Sequence, residues 1–181
     1  MVTAARCVQP LARGFPPIGD PRARILILGS LPGEKSIKMS QYYAHAQNGF
    51  WKIMGVLFDA EPALPYAARL ERLIVHRVAV WDVLAAGERA GSLDSEIVTA
   101  SIVVNDFEAF FGRHRAVRLI CFNGAKAAQL YRRNVLPVLE PEFAALDTRV
   151  LPSTSPANAS IRFEDKLARW SSALASVAPE R

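Results

Sequence analysis

The sequence predicts an α/β fold in which helices pack against a mainly parallel four-stranded sheet. Two observations carry the prediction. Short apolar runs, the ILIL of residues 25–28 being the clearest, alternate along the chain with segments of helical period. Three of these runs end in small or polar residues, in GSLPGEKS, CFNG and LPSTSPAN. Ligands of open α/β sheets gather beyond the carboxyl ends of the strands, so these endings predict one shared site.

Residues 1–20 contain Pro and Gly without a clear period and read as an N-terminal arm, with 21–178 as a single domain. ARILILGS (23–30) has the unbroken apolar core of a strand buried on both faces, and LPGEKS after it is rich in turn residues. In AQNGFWKIMGVLF (46–58), Phe50, Ile53, Met54 and Leu57 share one helical face. YAARLERLIVH (66–76) predicts a second helix, and RVAVWDVL (77–84) a strand closing with Trp81 and Asp82. Residues 91–114 hold two helix starts, one capped by Ser92 or Asp94 and one by Asn105, with Glu108 completing a capping box. AVRLICFNG (116–124) predicts a third strand, followed by a helix from Ala125 to Arg133. DTRVLP (147–152) is a short fourth strand, and a closing helix over roughly 161–175 turns Phe163, Leu167 and Trp170 to the core.

Composition narrows the function. With 181 residues, 51% of them apolar, the chain can bury one real core. The net charge of +5, from 22 basic and 17 acidic residues, suits a polyanion partner without requiring one. Cys7 and Cys121 make neither a disulfide framework nor the four thiolates of an iron–sulfur cluster. His45, His76 and His114 lie far apart, and no HExxH or CxxC joins them, which disfavours zinc. There is no long apolar signal core and no stretch long enough to span a membrane, so a cytoplasmic, nucleoid-associated location is expected.

Four segments carry candidate chemistry. LGSLPGEKS (28–36) lacks the spacing of a nucleotide-triphosphate loop; it is either an ordinary tight turn or a loop whose backbone N–H groups bind an oxygen of a base or a phosphate. In YYAHAQNGFW (42–51), Tyr42 and Tyr43 could stack on a planar base, while Asn48 either caps a helix or holds a water. Asn123, ending a buried strand, either bonds nearby backbone or offers its amide to a carbonyl and an adjacent ring N–H. LPSTSPAN (151–158) is a plain loop or one whose Ser153, Thr154 and Ser155 meet DNA phosphates. A serine hydrolase is the main competitor, since Ser30, His45 and Asp82 fall near strand ends, yet no GxSxG elbow exists. Asp82 and Glu34 are the only acids close to loop ends on the sheet, which makes a paired-carboxylate sugar hydrolase unconvincing.

Taken in order, GSLPGEKS, YYAHAQNGFW, VWDVL, GSLDSEI, NDF, CFNG and LPSTSPAN resemble the hypoxanthine-DNA glycosylase-like family of the uracil-DNA glycosylase superfamily, from about residue 22 to 170. The resemblance implies a three-layer α/β/α sandwich around a parallel four-stranded sheet, acting as a monomer without cofactor or metal. It implies a monofunctional glycosylase acting on DNA with deaminated bases, hypoxanthine first with uracil as a further substrate of relatives, with no membrane and no obligate protein partner. The first superfamily motif falls on Gly29–Ser36, where Ser30, Leu31, Pro32 and Gly33 leave no Asn or Asp to activate water. By resemblance that role passes to Asn48, and Asn123 matches the base-reading position. The resemblance assigns Gly29, Ser30, Leu31, Pro32, Gly33, Ser36, Tyr42, Tyr43, His45 and Phe50 to the base, and Ser153, Thr154, Ser155 and Asn158 to the DNA backbone. The second motif, Leu151–Asn158, lacks the histidine of some branches, and Ala46 stands where proline is expected. A non-catalytic damaged-DNA-binding protein and a small-molecule hydrolase on the same scaffold are the alternatives.

Overall fold

The computed structural model of the chain describes residues 11–175. In chain order the strands are β1 (Leu11–Arg13), β2 (Ile25–Gly29), β3 (Val78–Asp82), β4 (Leu84–Glu88), β5 (Val103–Val104), β6 (Leu119–Asn123) and β7 (Asp147–Leu151). The helices are α1 (Glu34–Met39), α2 (Phe50–Phe58), α3 (Tyr66–Val75), α4 (Phe107–Arg113), α5 (Ala125–Asn134), α6 (Pro141–Ala144) and α7 (Phe163–Ala175).

The main sheet runs β3-β2-β6-β7 and is parallel throughout. β2 and β3 are buried along their whole length, and β6 up to Asn123. Helices on both faces explain why these runs are apolar without alternation. On one face α2, α3 and α7 meet through Phe50 against Trp170 and Trp51 against Tyr66. On the other, α4, α5 and α6 meet through Phe107 against Tyr131 and Phe111 against Phe143. The result is the expected three-layer α/β/α sandwich.

A second, antiparallel sheet in the order β1-β4-β5 was not legible in the sequence. After Asp82 the chain runs on into β4, Val83 N donating to Gly29 O and Leu84 N to Ser30 O, and there takes new neighbours. β1 covers one edge of β4, and Ile18 bridges to Val80, so residues 11–20 are fastened to the body. Cys7 and the rest of residues 1–10 lie outside the described residues.

Helix starts differ from expectation where a polar side chain has another partner. α2 begins at Phe50 rather than near residue 46, because Asn48 Oδ1 accepts from Phe50 N at 2.9 Å. Asp106, not Asn105, caps α4, accepting from Ala109 N at 2.9 Å. Asn105 instead donates to Asp82 O at 2.8 Å, and Glu108 accepts from Glu140 N at 2.7 Å. The helix expected after Ser92 and Asp94 is two 3₁₀ turns, Asp94–Glu96 and Thr99–Ser101. In α7, Trp170 and Leu174 are fully buried, whereas Phe163 and Leu167 pack only at the margin of the core.

Candidate active site

The loops after β2, β6 and β7, with the segment before α2, surround a cavity of about 590 Å³ at the carboxyl end of the main sheet. Every residue singled out from the sequence lines it except Phe50. A shallower groove of about 980 Å³ runs beside β7 and α7 and shares Ser153 and Asn158 with the cavity.

The Gly29–Ser36 loop is held from below. Ser30 Oγ donates to Asp94 Oδ1 at 2.6 Å. Arg89, with its side chain buried, donates to Leu31 O, Pro32 O and Gly91 O, and its guanidinium lies 3.8 Å from Asp94 Oδ1. Burial pushes the Asp94 carboxyl above its ordinary range, against the pull of Ser30 and Arg89. Ser92 Oγ accepts from Glu34 N at 3.0 Å, and Ser36 Oγ accepts from Ala44 N at 3.2 Å, tying the loop to the segment before α2. Leu31 and Ser30 are thus buried wall rather than free surface.

Asn123 and Thr154 form a reciprocal pair. Asn123 Nδ2 donates to Thr154 Oγ1 at 2.9 Å, and Asn123 Oδ1 accepts from Thr154 N at 2.8 Å. Thr154 O accepts in turn from Gly49 N at 2.9 Å, beside Asn48. Thr154 is 2% exposed, so it braces Asn123 and does not face a phosphate. Ser153, Ser155 and Asn158 stay on the rim, shaped by short bonds among themselves: Ser155 N to Ser153 Oγ, and Asn158 Nδ2 to Ser153 O.

The aromatic wall is layered. Tyr42 is buried, its hydroxyl donating to Phe15 O and Pro16 O and its carbonyl accepting from Trp51 Nε1. Tyr43 takes a left-handed backbone (φ 55°), unusual for a side chain of this size, and its ring stacks on Phe50 with centroids 3.9 Å apart. Phe50 is therefore covered by Tyr43 rather than open to the cavity. His45 is exposed at the mouth, its Nδ1 accepting from Gln47 N. With Ser30 bonded to Asp94 and His45 to Gln47, no Ser–His–Asp relay is assembled among the described residues.

A family model for the uracil DNA glycosylase superfamily matches residues 16–175. The hypoxanthine DNA glycosylase of Methanosarcina acetivorans is 40% identical over 151 residues, covering 82% of this chain and 89% of the relative. That of Methanosarcina barkeri is 37% identical over 149 residues, covering 81% and 87%. The solution NMR structure of a candidate uracil DNA glycosylase from M. acetivorans superposes with a TM-score of 0.76 at 36% identity, over 93% of this chain and 99% of that one. The chain belongs to the hypoxanthine-DNA glycosylase-like family of the uracil-DNA glycosylase superfamily. Its general activity is that of a DNA glycosylase, a hydrolase of N-glycosidic bonds.

Three residues of this glycosylase site escaped sequence reasoning as site residues. Arg89 and Asp94 sit in GERAGSLDSEI, where the sequence offers Asp94 only as a helix cap and gives Arg89 no role; only the fold shows that they hold the first motif from beneath. Asp82 enters the sequence reading only in the two competing classes, as a triad acid or one of a carboxylate pair. It lines the cavity while being only 3% exposed, and burial among apolar strands, with Asp94 nearby, pushes its carboxyl up to about 8. Among the described residues no cluster of His, Cys, Asp and Glu has the makings of a metal site, and no helix is long and apolar enough to cross a membrane.

Proposed function

We propose that this family member is a monofunctional glycosylase that excises deaminated bases from DNA in base excision repair, hypoxanthine first, with uracil as a further candidate. The observation that carries the reading is that Asn48 and Asn123, which supply the chemistry, open onto one cavity. The hypoxanthine DNA glycosylases of the two Methanosarcina species supply the choice of base.

The steps follow from the side chains. Ser153, Ser155 and Asn158 at the rim grip phosphates and fix register. The damaged nucleotide rotates out of the duplex, at a cost of a few kcal/mol that is smallest at a mismatch. Asn123 uses one amide hydrogen and one lone pair on Thr154. The rest of the amide, which also meets the Tyr43 hydroxyl, faces the base: a hydrogen and a lone pair match a carbonyl beside a ring N–H, an edge that hypoxanthine and uracil share. Asn48 Oδ1 has one lone pair taken by Phe50 N and a second for a water proton. That water adds to C1′ as the bond to the base breaks. A neutral amide is no base, so Asn48 acts by orientation.

Single-turnover assays in the presence of chelator, on duplexes and single strands bearing deoxyinosine, deoxyuridine or deoxyxanthosine, test the reading. The expected result is release of free base, strand cleavage only after alkali, and deoxyinosine fastest. Salt-sensitive binding without release would make the protein a damage-binding module, and no DNA binding at all would point to a small-molecule hydrolase.

A further inference from the structure

Asp82 ends β3 directly opposite Gly29 on β2. Its carboxyl lies over Gly29, where a Cβ would collide with Oδ1 and come within 3.1 Å of the Tyr43 hydroxyl. The absent side chain at Gly29 is what makes room for the carboxyl. Its backbone is fixed by Asn105, which donates to Asp82 O. Asp82 Oδ2 is buried without a hydrogen-bond partner, whereas the Tyr43 hydroxyl beside it has the Asn123 side chain for a neighbour, and all three residues line the cavity. Buried polar atoms are nearly always paired, so an orphaned carboxyl oxygen lining a ligand cavity marks a place for a ligand's polar atom.

We propose that Asp82 is a further catalytic residue of this site, a protonated carboxyl that hands its proton to the imidazole ring nitrogen of a departing purine. The proposal rests on the glycosylase reading above and deepens it. As C1′–N9 breaks, its electron pair moves onto the purine, and the proton from Asp82 neutralises the charge that builds there. Water oxygen bonds to C1′, and its surplus proton returns through solvent to the Asp82 carboxylate. The geometry favours a neutral acid. Oδ2 has no hydrogen-bond donor; Arg89, the one cation that acts on the carboxyl, is bonded to Leu31 O, Pro32 O and Gly91 O and pulls against burial and Asp94 without overcoming them, and Tyr42 and Tyr43 are neutral. Asn123 and Asp82 stand on strands separated by β2, roughly 10 Å apart at the backbone, which suits one residue at each edge of a two-ring base. Uracil has no imidazole ring, so this proton serves purines alone.

The test is single-turnover excision from a deoxyinosine duplex across the mildly acid to mildly alkaline range, with wild type and Asp82→Asn, and from a 7-deaza-2′-deoxyinosine duplex. On deoxyinosine the wild-type rate is flat in acid and falls about tenfold per pH unit above the carboxyl's titration. Asp82→Asn is slower by about 100-fold at neutral pH and loses the alkaline fall. On the 7-deaza duplex the two proteins cleave alike, and the wild type shows no alkaline fall, a result that does not depend on the variant folding. A variant that melts like wild type and keeps its rate and pH profile on deoxyinosine overturns the proposal and leaves the glycosylase reading intact. A wild type that releases no hypoxanthine overturns the glycosylase reading, and this inference with it.

Discussion

At the scale of single residues, Asp82 and Asn48 make separable predictions. The native state keeps the Asp82 carboxyl protonated up to about pH 8, whereas the unfolded chain releases that proton near 3.8. Between those values the native state binds the extra proton, so rising pH lowers stability, by at most about 1.4 kcal/mol per pH unit from this one group. Urea denaturation at several pH values in that window should show the slope in wild type and a shallower one in Asp82→Asn. Asn48, just before the Gly49 N-cap, both accepts from the first amide of α2 and faces the cavity. Asn48→Ala should therefore lower stability by about 1 kcal/mol through the lost cap. It should also slow single-turnover excision by about 100-fold, with DNA affinity little changed. Near-wild-type rates in that variant would remove Asn48 from the mechanism.

At the scale of elements, the sequence announced what burial and period dictate. The ILIL and LICF runs were legible because a strand covered on both faces has no polar register to keep. The site was half legible for a related reason: Asn48, Asn123 and the Ser-Pro loop stand at strand and helix ends, where polar residues in an apolar context ask for an explanation. Hidden were contacts that join elements distant in the chain. Nothing local in GERAGSLDSEI says that Arg89 reaches Pro32, or that Ser92 receives Glu34 N. Asn105 and Asp106 are equally good caps on paper, and only the end of β3 decides between them by taking the Asn105 amide. The Arg89 anchor is testable. Arg89→Met leaves the Leu31 and Pro32 carbonyls unpaired and Asp94 without its cation, for a loss of about 3 kcal/mol, read as a lower urea midpoint. Excision should weaken with it, since the loop over the base loses its support.

At the scale of the whole molecule, the excess of basic residues becomes an expectation about DNA. Binding should weaken linearly in log salt, with a slope of about −0.9 per phosphate neutralised on duplex. Lys35 is exposed at the cavity mouth, and Lys35→Ala should flatten that slope by about one phosphate while leaving the preference among bases unchanged. A fluorescence anisotropy titration at several salt concentrations measures both. The bond from Gly49 N to Thr154 O has a consequence of another kind. It splices two loops that the proposed mechanism sets at opposite ends of the reaction, the rim loop and the segment carrying Asn48, though more than half the chain separates them. A strand pressing on the rim loop pulls on the same clasp that sets the position of Asn48. Under the proposed mechanism that clasp would let a seated strand set where the attacking water is held, without a hinge or a moving domain.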